Sequence, residues 1–269
     1  MARFQYHWTF ERIDKYIKEG RGQGEFENYK PWLTVRDVPS NGRVAREMGT
    51  KVKREYHFLS DLERYFFYIL EWQDSVVDIR EQYPILEMEK TVEIAELLGF
   101  AHPKDPKTKI NIVMTSDFMI TYKNDQGDVC YAARSIKSFK DLLKKRTLEK
   151  LLIEKYYYDQ LGIDWGVVTD KEINKDFAVN LQDLRQYQLF PFGVDEGVLD
   201  VLRHKISRVN PREKVIHTLK KLSEDIGIDE VTLLNALKSL ISNKIISVNL
   251  TKRLNFNKSW NSLLNGGTK

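Results

Sequence analysis

Between Asn111 and Lys137 the chain spells out a hairpin that carries an acid where a hairpin has little use for one. It reads Asn-Ile-Val-Met-Thr-Ser-Asp117-Phe-Met-Ile-Thr-Tyr-Lys, then Asn124-Asp-Gln-Gly-Asp128, then Val129-Cys-Tyr-Ala-Ala-Arg-Ser135-Ile-Lys137. β-Branched and aromatic residues on either side of a Gly-containing turn predict two adjacent strands. Asp is disfavoured inside a strand, yet Asp117 is flanked by Met114, Phe118 and Ile120. The second strand closes as Ser135-x-Lys137. An acid and an ammonium on neighbouring strands suggest a metal-dependent phosphodiesterase site. A carboxylate suits a hard divalent cation, and a positioned cation can balance charge on a scissile phosphate. Taken one at a time, the residues also fit an Asp that caps a strand end and a surface Lys.

Bulk properties narrow the setting. The 269 residues are 42% hydrophobic and 30% charged, which fits a globular chain with core enough for two domains. No apolar run approaches the ~20 residues of a membrane span, and the N-terminus lacks the apolar core of a signal peptide. The single Cys130 excludes an internal disulfide and a thiolate zinc site, and fits a reducing cytoplasm. Charge is unevenly spread. Residues 203–269 hold 13 Lys and Arg against 5 Asp and Glu, and no acid follows Glu230; the preceding residues hold 30 against 34. A basic C-terminal part on a mildly acidic N-terminal part is the electrostatic pattern of nucleic-acid binding, with an ordinary solvated surface as the alternative.

The order of elements follows from periodicity. Residues 1–20 predict one helix, ended by Gly20-Arg-Gly-Gln-Gly24, a loop rather than a phosphate cradle because no strand precedes it. Tyr29–Val35 predicts extended chain or a short strand, and Arg43–Tyr56 a basic loop or ragged hairpin. Ser60–Trp72 predicts a helix and Ser75–Tyr83 a strand stopped by Pro84; Glu87–Gly99 predicts a second helix. After the hairpin, Lys140–Leu161 predicts a long helix with Leu143, Leu148, Leu151, Leu152 and Tyr156 inward, and Trp165–Thr169 a short buried strand. Residues 170–202 predict helix, with a break between domains at Phe190-Pro-Phe-Gly193. Pro211–Ile226 and Asp229–Leu240 predict a helix-turn-helix, and Ile245–Leu250 a following strand, a pattern that resembles a winged helix.

Glu63 has two readings. Ser60-Asp-Leu-Glu63 is a capping box, which accounts for a Glu without chemistry. The same helix leads into the sheet that carries Asp117, so Glu63 near its start can share a metal with Asp117. Glu149 and Glu154 predict solvent-facing charges, with support of the site by one of them as the alternative, and His57 a structural role, with stacking on or donation to DNA as the alternative. The five His show no metal-ligand spacing.

Helix, three strands, helix, strand, with Glu on the first helix, Asp on the second strand and x-Lys ending the third, resembles the restriction-endonuclease-like fold. The fold class expected is thus α/β, with that core followed by a mostly α winged-helix domain. Lys18-Glu-Gly-Arg-Gly-Gln-Gly24, Pro31-Trp-Leu-Thr-Val35, Leu59-Ser-Asp-Leu-Glu63, Asp78-Ile-Arg-Glu-Gln-Tyr-Pro84, Thr115-Ser-Asp-Phe118, Arg146-Thr-Leu-Glu-Lys150 and Thr169-Asp-Lys-Glu-Ile-Asn174 are similar to the TnsA family of transposon endonucleases. The resemblance implies a Mg²⁺-dependent subunit, with Mn²⁺ able to substitute, that nicks the 5′ strands at transposon ends. It further implies a TnsB-like transposase and a TnsC-like AAA+ regulator as partners, DNA as substrate, no membrane, and a place at the nucleoid in a bacterial cytoplasm. By motif position Glu63, Asp117 and Lys137 form the catalytic set, with Glu63, Asp117 and the Ile136 carbonyl as metal ligands. The related nucleases place Asp or Glu two residues before the Lys, and the TnsA type tends to Gln; Ser135 stands there, able to give a hydrogen bond or a water-mediated contact. The implied organisation is an endonuclease domain over residues 1–175, a linker over 176–197 and a winged-helix-like domain over 198–269. A non-catalytic DNA-binding adaptor that recruits the transposase or its regulator is the alternative.

Overall fold

The hairpin around Asn124 forms as its alternation predicts and becomes the middle of a four-stranded sheet. The computed structural model describes residues 7–38, 43–189 and 195–264. The chain divides into two compact units, residues 1–173 and 174–269. The first unit runs α1 (Phe10–Lys18), β1 (Ala45–Met48), β2 (Glu55–Phe58), α2 (Asp61–Trp72), β3 (Val76–Pro84), α3 (Met88–Leu97), β4 (Thr115–Lys123), β5 (Val129–Lys137), α4 (Lys145–Gln160) and β6 (Asp164–Thr169). β1 and β2 form a separate hairpin, and the sheet order is β3-β4-β5-β6. The first three strands are antiparallel and β6 is parallel to β5.

Register makes the site. β4 pairs with β3 to its first residue, Thr115 opposite Pro84, and β5 pairs with β6 to its last, Lys137 opposite Thr169. The ladder between β4 and β5 ends earlier, at Phe118 opposite Arg134. The two central strands therefore fork at Asp117. Side chains alternate across the sheet, and both faces are covered. Met119 and Ala133 pack with Ile94 of α3 and with Ile153 and Tyr158 of α4. Phe118, fully buried, turns to the other face, its ring 6.2 Å from that of Phe58 and 5.7 Å from that of Phe66.

The β1–β2 hairpin is fastened to β3 by a buried ion pair. Arg54 Nη1 donates to Glu81 Oε1 at 3.0 Å, Nη2 donates to Oε2, and Nη2 also reaches the Ile79 carbonyl at 2.7 Å. The backbone N–H of His57 adds a bond to Glu81 at 3.0 Å. The chain from α1 closes over the same edge through Ile13, Tyr16, Trp32 and Val113. Gly22 has φ +72°, and a Cβ there would lie 2.1 Å from Pro84 Cγ, so the Gly20–Gly24 loop is a close-packed turn against the end of β3.

Several expectations are corrected. α1 starts only at Phe10, because Thr9 caps it by accepting from Arg12 N–H at 3.2 Å; residues 1–6 lie outside the described residues. Tyr29–Val35 forms no strand: Trp32 N–H reaches the Gln82 carbonyl at 3.2 Å without extending into a ladder. On α4 the buried face is Leu151, as expected, with Ile153, Glu154, Tyr157 and Tyr158, whereas Leu148, Leu152 and Tyr156 are exposed, as is Leu143 ahead of the helix. The helix follows the face that carries Glu154, because buried donors satisfy that carboxylate. β6 is an edge strand and only half-buried.

The second unit comprises α5 (Lys175–Leu189), α6 (Glu196–Ile206), α7 (Val215–Ile226), α8 (Glu230–Ser242) and the short α9 (Trp260–Leu263). Residues 176–197, expected as a linker, hold most of α5, whose buried Ala178, Leu181 and Leu184 give it a core face. The predicted break at Phe190–Gly193 lies outside the described residues. The helix-turn-helix is present: Gly227 ends α7 at φ +71°, and Asp229 caps α8 by accepting from Thr232 N–H at 2.9 Å. Ile245–Leu250 is not a strand. Lys244 adopts φ +59°, and among the described residues this stretch makes one bridge, Val248 to Leu264. Trp260 is fully buried, its Nε1–H on Thr218 Oγ1 at 2.9 Å. No described helix is long and apolar enough to cross a membrane.

Candidate active site at the strand fork

Beyond the fork the backbone of β5 has lost its partner on β4, and a side chain takes over. Ile136 N–H donates to Asp117 Oδ2. The Lys137 ammonium donates to the same oxygen at 2.6 Å and to the Ile136 carbonyl at 3.0 Å. Burial works against the Lys137 charge, but Asp117 outweighs it and holds the lysine pKa above its ordinary value. Lys137 is therefore a cation and a donor here, not a base.

Glu63 arrives from the other side of the fork. Its capping role is real: Ser60 Oγ accepts from Glu63 N–H at 3.2 Å and donates to Glu63 Oε1 at 2.8 Å. Oε2 accepts from Leu59 N–H at 2.9 Å and from Gln82 Nε2 at 3.1 Å. Burial first, and then the charge of Asp117, push Glu63 up to about 7. The capping box and the metal reading thus describe one side chain: the cap aims it and Asp117 feels it. Gln82 was not evident from the sequence. It falls between Glu81, opposite Phe118, and Tyr83, opposite Ser116, which sets it across from Asp117. Its φ of +48° is a left-handed conformation that costs a non-Gly residue about 1–3 kcal/mol.

Glu154 corrects the expectation of a solvent-facing charge. It is buried in α4 and accepts from Ser116 at 2.7 Å, Ser135 at 2.8 Å and Trp165 Nε1 at 2.9 Å. Burial raises its pKa against the pull of these donors. Ser135 thus turns to Glu154 and supports the site from behind. Glu149 is half-buried and pairs with Arg146 at 2.9 Å. A cleft of about 360 Å³ opens over these groups, lined by Asp117, Ser135, Lys137 and Glu154 together with Trp8, Leu33 and Met114.

The donor set fits a hard divalent cation. No group of three His, Cys, Asp or Glu suited to a metal occurs among the described residues, so a cation here would rely on Asp117, Glu63, backbone carbonyl and water oxygens, the ligands Mg²⁺ prefers. The Lys137 ammonium stands in for such a cation, bridging Asp117 Oδ2 and the Ile136 carbonyl.

Comparison with known proteins supplies the family. Residues 73–170, from just before β3 to just after β6, match the model of the TnsA-like endonuclease N terminal domain. The chain is 36% identical over 259 residues to "Transposon Tn7 transposition protein TnsA" of Escherichia coli, covering 96% of this chain and 93% of that protein. The chain belongs to the TnsA family. As a TnsA-family protein it is a DNA endonuclease with a role in transposition. The matched TnsA-like segment includes Asp117, Ser135, Ile136, Lys137 and Glu154, while Glu63 lies ahead of it.

The Glu63 shift has a measurable consequence. Its folded pKa of about 7 lies above the ordinary 4.5, so between these values the folded chain binds more protons than the unfolded one. Stability from this group is full below 4.5 and is lost as pH rises to about 7. A cation beside Glu63 offsets that loss and competes with the proton. Mg²⁺ or Mn²⁺ should therefore raise Tm more at about pH 8 than at about pH 5.5. Thermal shift assays at both pH values check this; equal shifts, or a full shift retained by Glu63→Gln, would contradict it.

Proposed function

We propose that this chain is the nicking subunit of a heteromeric Tns-type transposase. It cuts the 5′ strands at transposon ends during cut-and-paste transposition, with Mg²⁺ as cofactor and Mn²⁺ able to replace it. The observation that carries the reading is the convergence of Asp117, Lys137 and the Ile136 carbonyl at a strand fork, with Asp117 and Lys137 lining an open cleft. Glu63, Asp117 and the Ile136 carbonyl would hold the cation, which when bound supplies a Lewis acid for the phosphate and a readied water. Once a cation takes Asp117 and the Ile136 carbonyl, the Lys137 ammonium that bridges them here would turn its charge to the phosphate, where negative charge grows during attack. Ser135 and Glu154 fix the end of β5 so that Lys137 meets the phosphate in one orientation.

The partners of this reading are transposon-end DNA, a TnsB-like transposase acting on the 3′ ends, and a TnsC-like AAA+ regulator, all at the nucleoid in the bacterial cytoplasm. The second unit fits a winged-helix-like DNA-binding domain: α7 and α8 form the helix-turn-helix, and its excess of Lys and Arg supplies phosphate contacts. The test is strand-specific mapping of end cleavage with all partners present. Lys137→Ala should lower 5′-strand nicking about 10²–10³-fold and leave the 3′-strand cut in place. Undiminished 5′ nicks would remove Lys137 from the reaction.

Titration calorimetry with Mn²⁺ tests the metal part of this reading: binding that is lost in Glu63→Ala supports it, and binding unchanged by that substitution removes Glu63 as a ligand.

A further inference from the structure

The cleft over Asp117 and Lys137 has a wall that phosphate chemistry does not need. Trp8, Leu33, Pro103, Val113, Met114 and Leu151 line it beside the polar groups. A phosphate and its cation ask for oxygen and charge; this wall offers a flat apolar surface.

Trp8 is the part of the wall built to hold still. Its N–H donates to Asp105 Oδ2 at 2.9 Å, and its carbonyl accepts from Thr108 Oγ1 at 2.7 Å. Its ring lies parallel to Trp32, 3° between planes and 6.0 Å between centroids, and edge-on to Tyr16 at 5.6 Å. Trp32 is fully buried, so the backing is fixed, while Trp8 itself stays half-exposed. The Arg12 guanidinium lies over the Trp8 ring, 5.3 Å from its centroid, and brings positive charge to it. A rigid indole on an apolar wall, next to a cation and one cleft away from a phosphate site, is what stacks a nucleobase.

In a duplex the base next to a given phosphate is paired and stacked, so it reaches a side chain inside a cleft only by leaving the stack. We infer that the nucleotide flanking the scissile phosphate is unpaired and received in this cleft with its base against Trp8. The inference rests on the reading of Asp117 and Lys137 as the cleavage site. Trp8 is then a positioning residue: seating the base sets the adjoining phosphate over Asp117. Because every base has a π-face, such a seat accepts any base. It selects for DNA that is readily unpaired at the cut.

The test compares two transposon-end substrates in the complete transposase, one fully paired and one with a mismatch abutting the 5′ cut. Trp8→Ala should lower 5′ nicking of the paired substrate about tenfold or more. On the mismatched substrate, where unpairing is already accomplished, its loss should shrink to within about threefold. Trp8→Phe, which keeps a ring, should stay near the parent on both. If Trp8→Ala does not fold, Leu33→Trp, which fills the cleft and leaves the aromatic stack in place, should slow nicking of both substrates alike. Equal losses on the two substrates with Trp8→Ala, or parental rates with Leu33→Trp, would overturn the inference. Asp117→Ala is run alongside. Should it cut normally, the site reading itself fails; should it be inactive while Trp8→Ala shows no substrate dependence, only the base seat fails.

Discussion

Replacing Asp117 by alanine is expected to abolish 5′-strand cleavage at transposon ends, by about 10³-fold or more, while the chain remains folded. One carboxylate oxygen gathers the Ile136 N–H and the Lys137 ammonium, and the same carboxylate supplies the charge that Glu63 senses. Its removal strips the site of an oxygen ligand and frees Lys137 to move. The cost to the fold is small for two reasons. Asp117 lies past the end of the β4–β5 ladder, so the loss is confined to the Ile136 N–H bond and the partly solvated Lys137 ion pair, about 1–3 kcal/mol. Relief of repulsion on buried Glu63 acts in the opposite direction. Thermal unfolding together with strand-specific cleavage in the presence of all partners checks both halves. A well-folded Asp117→Ala that still nicks the 5′ strand would sink the assignment.

The largest effect on stability is expected at the other edge of the sheet. Glu81 is 0% exposed and is paired through both oxygens with Arg54. Glu81→Ala leaves a buried guanidinium without its acid and should cost about 3–5 kcal/mol, lowering Tm by on the order of 10 °C. The loss reaches the site, because the hairpin that Arg54 anchors leads directly into the Ser60 cap and Glu63. Metal-induced stabilisation should therefore weaken along with Tm. A buried pair contributes little net stability compared with apolar residues of similar volume, so Glu81→Leu combined with Arg54→Met should recover most of the loss. Differential scanning calorimetry of both variants decides it. A single mutant with parental Tm, or a double mutant as unstable as the single, would show that the pair does not clamp the hairpin.

Much of the nuclease unit was legible because its signals are local. The hairpin declared itself by alternation around a Gly turn, and α2 by the Ser60 cap. Asp117 and Lys137 met because a hairpin leaves little choice of neighbour. Glu63 was ambiguous in sequence and remains dual in structure, cap and charge at once. What sequence could not supply depends on distant partners. Glu154 reads as a surface acid until Ser116, Ser135 and Trp165, from three strands, come round it. Its burial rotates α4, so Leu148, Leu152 and Tyr156, apolar and helically spaced, end up outside. Gln82 is visible only through register. In the second unit Ile245–Leu250 alternates like a strand, but the left-handed turn at Lys244 leaves it one bridge among the described residues.

The three bonds to Glu154 have a mechanical consequence. They come from β4, β5 and β6, so one carboxylate ties together both prongs of the fork and the strand beyond. Parting the prongs would strip a buried acid of its donors, so the carboxylate works as a rivet that holds the ends of β4, β5 and β6 at one spacing.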